Sequence, residues 1–126
     1  MDTWLYYEAT HFTHKFCNPT DAASIDELGR VIGLSQGQRV LDIACGHAEL
    51  LIRWIEQHGI AGVGVDLSPY TLPHAEKRRA ARVPGADLRF EAKDAADFET
   101  DERFDVVSCI GASWIWNGWE GTLAAL

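Results

Sequence analysis

Two patterns of apolar and polar positions alternate along this chain of 126 residues. Short apolar runs are typical of buried strands, and stretches whose apolar positions recur every three or four residues are typical of helices. The pattern predicts strands over 39–44, 61–66, 87–91 and 104–110, and helices over 21–32, 48–58 and from about 69 to 82. The aromatic segment 4–16 is predicted to be a short amphipathic helix or an ordered arm. Strands that alternate with helices predict a parallel sheet with right-handed crossovers.

The composition of the chain disfavours nucleic acid, metal and membrane as partners. The formal net charge is −8 and the pI is about 4.9, which disfavours nucleic acid, because phosphate binding needs a surplus of Lys and Arg. Cys17, Cys45 and Cys109 lack metal-ligand spacing, so we expect reduced thiols and no metal site. The sequence shows neither a bilayer-spanning apolar run nor the features of a signal peptide. We therefore expect no membrane partner and a cytoplasmic location.

The segments after the first two strands carry the strongest chemical signals. Open parallel sheets bind ligands beyond the carboxyl ends of their strands. The first strand is followed by Ala44, Cys45 and Gly46, whose small side chains let backbone amides approach a ligand closely. Asp66 ends the second strand, twenty residues beyond Gly46, where a carboxylate accepts hydrogen bonds from a ribose. Its alternative role is to cap the next helix.

Two further carboxylates are candidates at the same edge. Asp94 would accept a hydrogen bond from the amine of adenine while the Ala95 amide donates to a ring nitrogen, although a solvated loop carboxylate is nearly as common. Asp42 lies inside the apolar first strand, and a buried carboxylate is costly unless it is paired or hydrogen-bonded. We expect Asp42 to tie down the turn and to reach a ligand ammonium directly or through water.

Three segments resemble motifs of class I S-adenosylmethionine-dependent methyltransferases. Residues 40–50 (VLDIACGHAEL) are similar to the first motif of that family, residues 62–69 (GVGVDLSP) to its acidic second-strand motif, and residues 103–109 (RFDVVSC) to its fourth-strand motif. The resemblance covers residue 39 to about residue 119. It implies an α/β, doubly wound Rossmann-like sheet of strand order 3-2-1-4 with flanking helices, and methyl transfer to an unidentified acceptor. The acidity and size of the chain favour a small-molecule acceptor over protein or nucleic acid.

The resemblance also implies where S-adenosyl-L-methionine would bind. Ala44, Cys45 and Gly46 would contact its methionine part, Asp66 and Leu67 its ribose and adenine face, Asp94 and Ala95 the adenine edge, and Cys109, Ile110 and Gly111 the region beside the sulfonium. His47 would touch the cofactor carboxylate; its alternative is an exposed helix-start residue. The chain departs from the family pattern where Ala44 and Ala48 replace frequent glycines.

Two other functions compete with methyl transfer. An NAD-dependent oxidoreductase also has a small-residue turn after its first strand, but here the three-glycine dinucleotide fingerprint is missing. Glu49 would oppose a pyrophosphate at that helix terminus. The third hypothesis is a noncatalytic cofactor-binding or assembly fragment. Methyl transfer needs alignment and water exclusion more than a covalent nucleophile, so no catalytic residue is assigned.

Several aromatic and basic side chains have two interpretations. His11 and His14 are candidate bases and Tyr6 and Tyr7 candidate contacts, although an aromatic arm more often packs as a lid or core edge. Trp114, Trp116 and Trp119 would line an acceptor pocket or, with more weight, pack in the core. Lys77, Arg78, Arg79 and Arg82 are expected to form a solvated helix face.

The predicted domain organisation is an N-terminal helical arm or lid over residues 1–38 and a partial cofactor-binding core over residues 39–126. The fourth strand has the composition of an interior strand, yet no fifth strand follows it, whereas the resembled family continues with strands 5–7. Either the chain is a fragment or a second copy covers this edge. We expect the isolated chain to form a homo-oligomer through that edge or to aggregate.

Overall fold

The computed structural model describes residues 2–126 and contains every predicted helix and strand. The helices are α1 (Thr3–His11), α2 (Ala22–Val31), α3 (Glu49–His58), α4 (Thr71–Arg82) and α5 (Trp119–Ala125). The strands are β1 (Arg39–Ile43), β2 (Ala61–Asp66), β3 (Leu88–Ala92) and β4 (Val106–Ser108). Two short 3₁₀ helices, Ala95–Asp97 and Ser113–Trp116, lie before and after β4.

The four strands form one parallel sheet in the order β3-β2-β1-β4. This confirms the predicted Rossmann-like fold and strand order. In the register, Arg39 of β1 lies beside Ala61 of β2, and Val40 lies beside Val106 of β4. Because all strands run in one direction, their carboxyl ends meet at a single edge of the sheet.

The fourth strand is shorter than its apolar run predicts. Only three residues, Val106–Ser108, pair with β1, whereas the prediction covered 104–110. Before the strand, the Asp105 carboxylate accepts a hydrogen bond from the Arg39 amide at 2.7 Å. After it, Gly111 adopts φ 80°, a left-handed conformation that ends the extended backbone.

Two apolar clusters cover the two faces of the sheet. Val40 packs with α2 and α3, whereas the flanking Leu41 packs with Val63 and Val65 on the other face. Trp54 is 1% exposed in the first cluster, and its indole N–H donates to the Ile25 carbonyl at 2.9 Å. This bond satisfies the polar atom of the largest buried side chain and joins α3 to α2.

The basic stripe of α4 also makes buried ion pairs, which the expectation of a solvated face did not include for Arg78 and Arg82. Both guanidinium groups reach the carboxylate of Glu49, which is 3% exposed at the start of α3. Arg53 adds a third positive charge 3.6 Å from the same carboxylate. Three arginines therefore compensate the negative charge of Glu49, which was expected from the sequence to oppose a pyrophosphate. Arg79 pairs instead with the half-exposed Glu76.

In the described residues, no helix has the length and apolar character needed to cross a membrane. β4 has one strand neighbour, β1, within residues 2–126. Its pairing with a second copy and the cytoplasmic location stay predictions.

Candidate functional site

A cavity of about 240 Å³ lies at the carboxyl edge of the sheet. Segments after all four strands line it, together with the N-terminal arm. Eleven of the twelve predicted cofactor-binding residues lie in its wall: Asp42, Ala44, Cys45, Gly46, His47, Asp66, Leu67, Asp94, Ala95, Ile110 and Gly111. Cys109 lies outside the cavity wall and packs against the apolar cluster that contains Leu41 and Val63.

The turn after β1 is built from left-handed backbone conformations. Ala44, Gly46 and Ala48 have φ values of 57°, 55° and 61°. Left-handed alanines are uncommon, because the Cβ atom crowds the following carbonyl. The two alanines that replace frequent family glycines therefore keep a glycine-like backbone. The turn also needs space, since a Cβ atom on Gly64 of the adjacent strand would lie 2.7 Å from the Cys45 sulfur.

The Asp66 carboxylate fastens this turn to the start of α4. It accepts hydrogen bonds from the amides of Gly46 and Ser68 and from the Thr71 hydroxyl, each at 2.9 Å. A carboxylate offers about four acceptor positions, so about one remains for a ligand hydroxyl. The alternative for Asp66, capping of the next helix, was wrong, because Tyr70 is the N-cap residue of α4 and no side chain accepts a cap hydrogen bond there. The same carboxylate lies in the cavity wall.

Asp42 is buried, with 4% of its surface exposed. The Ser108 hydroxyl donates to it across the β1–β4 pair at 2.7 Å. Burial raises the pKa of the Asp42 carboxyl to about 7, the nearby charge of Asp66 adds to the rise, and the Ser108 hydrogen bond opposes it. Near neutral pH this carboxyl is thus divided between its neutral and charged forms, and a cation in the cavity would favour the charged form.

The segment after β3 supplies a small polar edge. The Asp94 carboxylate accepts from the Ala96 amide at 3.0 Å, so it caps the 3₁₀ helix Ala95–Asp97. Ala95 is the first residue of that helix, and the first amides of a helix have no partner within it. Asp94 and Ala95 therefore place an acceptor and a donor side by side in the cavity wall.

The N-terminal arm forms the part of the wall that strand-end reasoning missed. Trp4, Tyr7, Phe16, Cys17 and Asn18 all line the cavity. The Tyr7 hydroxyl donates to the Cys17 carbonyl at 3.1 Å, and desolvation raises the pKa of Tyr7 well above its usual value. The aromatic composition of the arm was the available signal. Nothing in its spacing indicated which side chains face the cavity.

The remaining candidates in the arm and tail separate clearly. Tyr6 is 62% exposed, and neither His11 nor His14 is in the cavity wall. His47 is 1% exposed, so the alternative of an exposed helix-start residue was wrong. Trp116 packs in the core as expected, whereas Trp114 and Trp119 are 68% and 67% exposed, which contradicts core packing for both. Of the three, Trp114 lines the cavity.

Comparisons with known proteins agree with this geometry. Residues 40–126 match a family described as "Methyltransferase domain". The chain is 33% identical over 121 residues to the uncharacterized protein YjhP of Escherichia coli (strain K12), covering 96% of this chain and 49% of that protein. It therefore spans about half the length of that relative.

Two solved structures show the same fold. A SAM-dependent methyltransferase from Thiobacillus denitrificans, in complex with S-adenosyl-L-homocysteine, has a TM-score of 0.90 and 37% identity, covering 95% of this chain and 48% of that one. A second, from Geobacter sulfurreducens with the same ligand, has a TM-score of 0.89 and 32% identity, covering 94% and 48%.

Proposed function

Because the chain belongs to the methyltransferase domain family, we propose that its cavity binds S-adenosyl-L-methionine and that the protein transfers the methyl group of this cofactor to a small-molecule acceptor. The observation that carries the proposal is the convergence of four strand-end segments on one cavity that contains two carboxylates, Asp42 and Asp66. The net charge of −8 supports a small acceptor rather than a nucleic acid.

The residues present fit the chemical groups of the cofactor. The left-handed turn Ala44–Gly46 leaves room for backbone approach to the methionine part, and the remaining acceptor position of Asp66 suits a ribose hydroxyl. Asp94 and Ala95 match the donor and acceptor of an adenine edge. Leu67, which is 45% exposed in the cavity wall, suits the apolar adenine face.

The buried carboxyl of Asp42 is the part of the wall best suited to a positive charge. We assign it to the ammonium of the methionine part, with Ile110 and Gly111 beside the sulfonium. Cys109 is left out of this assignment because it packs on the other face of the sheet. The His47 side chain is also left out, because its Nδ1 bonds the His14 carbonyl and its Nε2 then has no proton to donate to the cofactor carboxylate.

The reaction depends on positioning. When bound, the cofactor supplies an activated methyl group on a cationic sulfur. The role of the protein is to align that methyl group with the acceptor and to exclude water. Of the predicted arm 1–38, we propose that α1 acts as a lid, because Trp4 and Tyr7 close one side of the cavity, whereas α2 packs into the core through Ile25. No residue of the cavity is assigned as a base.

Calorimetric titration tests the cofactor assignment. We expect S-adenosyl-L-methionine and S-adenosyl-L-homocysteine to bind with one site per chain, and NAD not to bind. Asp66→Asn should weaken both by about 1–3 kcal/mol, through loss of charge-assisted hydrogen bonds. Asp97→Asn is the matched control, since Asp97 is exposed and lies outside the cavity wall. Binding of NAD alone would overturn the proposal, and an unchanged affinity in Asp66→Asn would overturn the ribose assignment.

A further inference from the structure

Three potential metal ligands meet beside the first turn, each from a different part of the chain. Glu8 lies on α1, His47 in the turn after β1, and His74 on α4. One ligand atom from each lies within 4.8 Å of the other two. The Glu8 carboxylate is 2.6 Å from Nε2 of His74. The ring centroids of His47 and His74 are 5.0 Å apart. The three residues are called the Glu8 cluster below.

Two atoms of the Glu8 cluster lack partners. In residues 2–126, three buried side-chain polar atoms have no hydrogen bond, and two of them are Nε2 of His47 and Oε2 of Glu8. Buried polar atoms in native proteins are nearly always satisfied, so two orphans in one cluster need an explanation. A bound cation would satisfy both.

The hydrogen bonding of His47 prepares it for a metal. Its Nδ1 lies 2.9 Å from the His14 carbonyl, which can only accept, so Nδ1 carries the proton and Nε2 presents a lone pair. Histidines that bind metals commonly donate their other ring N–H to a carbonyl in this way.

We propose that Glu8, His47 and His74 form a site for a divalent transition metal ion, with Zn²⁺ as the ion that fits best. Two imidazoles and one carboxylate are ligands typical of zinc, whereas Mg²⁺ and Ca²⁺ prefer oxygen ligands alone. Ligands about 2.0–2.2 Å from a tetrahedral ion lie about 3.4 Å apart, so the Glu8–His74 contact would open slightly. A water molecule would take the fourth position. The sequence expectation of no metal site rested on cysteine spacing, which this cluster does not use.

The site would fix the arm over the cavity. α1 buries none of its own residues, so apolar packing alone holds it weakly. An ion that joins Glu8 to His47 and His74 binds only the docked position of α1, and it therefore increases the population of that position. Trp4 and Tyr7 of the same helix line the cavity, so metal binding would favour its closed form.

Metal titration of the full chain tests the site without any methyl-transfer assay. The protein, freed of affinity tag and treated with chelator, is titrated with Zn²⁺ by calorimetry, with Mg²⁺ as a control ion. We expect one Zn²⁺ per chain and a loss of affinity of tenfold or more in Glu8→Gln and in His74→Ala. Both side chains are partly exposed, and circular dichroism checks that each variant folds. His11→Ala is the matched control, because His11 lies on α1 outside the cluster and should leave Zn²⁺ affinity unchanged.

Two further readouts use the unaltered protein. Co²⁺ bound at the cluster should give the intense visible absorption of four- or five-coordinate cobalt, and Zn²⁺ should slow proteolysis within residues 2–20. The absence of saturable Zn²⁺ binding would overturn the proposal. So would equal affinity in the unaltered protein, Glu8→Gln and His74→Ala, or a weak octahedral cobalt spectrum. In any of those cases Glu8 and His74 form only a hydrogen-bonded pair.

Discussion

Replacing Asp42 by Asn should change stability in a way that depends on pH. Folding raises the pKa of this carboxyl from 3.8 to about 7, because burial penalises the charge. Between these two pH values the folded protein holds a proton that the unfolded chain has lost, so the free energy of unfolding falls as pH rises. From pH 5 to pH 7, a span of about two pH units, the free energy of unfolding falls by at most about 3 kcal/mol. Relaxation around the charge lowers it to about 1–3 kcal/mol.

Urea denaturation of the ligand-free protein at pH 5 and pH 8 measures this effect. Asn cannot ionise, and its oxygen can still accept from the Ser108 hydroxyl. We therefore expect Asp42→Asn to gain about 1–3 kcal/mol relative to the unaltered protein between pH 5 and pH 8. Asp105→Asn, at the exposed opposite end of the same sheet, should show no such gain. If the difference between Asp42→Asn and the unaltered protein is the same at both pH values, the reasoning from burial is wrong.

Two further predictions concern the elements around the cavity. Arg82→Ala should lower the free energy of unfolding by about 1–3 kcal/mol, because it removes hydrogen bonds from the buried Glu49 carboxylate. Its control, Arg79→Ala, breaks a pair with the half-exposed Glu76 and should cost less than about 0.5 kcal/mol. Equal losses in urea denaturation would contradict this. Ala44→Gly should raise stability by up to about 1 kcal/mol, by relieving a left-handed alanine, and Ala48→Gly should be close to neutral because it also loses a buried methyl group. Thermal unfolding that shows both variants destabilised alike would refute the strain argument.

The sheet was predictable because its signals are local. Each apolar run, cap and glycine stop depends on neighbouring residues, and parallel strands then bring distant loops to one edge. That rule places Asp42, Asp66 and Asp94 together although they are far apart in sequence. Errors occurred at the end of this reasoning: β4 has three paired residues rather than seven, because pairing depends on the partner strand and not on the apolar run alone.

Long-range polar contacts were not predictable by the same route. Arg78 and Arg82 look like a solvated stripe on α4 until α3 brings Glu49 beneath them. The Glu8 cluster combines residues 8, 47 and 74, and no local pattern links these positions. The arm side of the cavity shares this property, since the register of α1 against the core decides which aromatic side chain faces inward. Composition indicated an aromatic arm, but the packing of α1 against the core decides which of its side chains line the cavity.

The carboxyl edge of the sheet concentrates features that cost stability. Within residues 2–126, three non-glycine residues have positive φ, and two of them, Ala44 and Ala48, lie in its first turn. The buried His47, whose Nε2 has no hydrogen bond, lies there too. Asp42, whose carboxyl has a raised pKa, is the last residue but one of β1, the strand that leads into this turn. Packing and propensity alone do not explain why backbone strain, a buried carboxyl and a buried imidazole nitrogen without a partner occur together. A ligand that binds the folded protein offsets such costs in proportion to its occupancy. The distribution of these costs thus supports the proposed binding edge on grounds other than resemblance to known proteins.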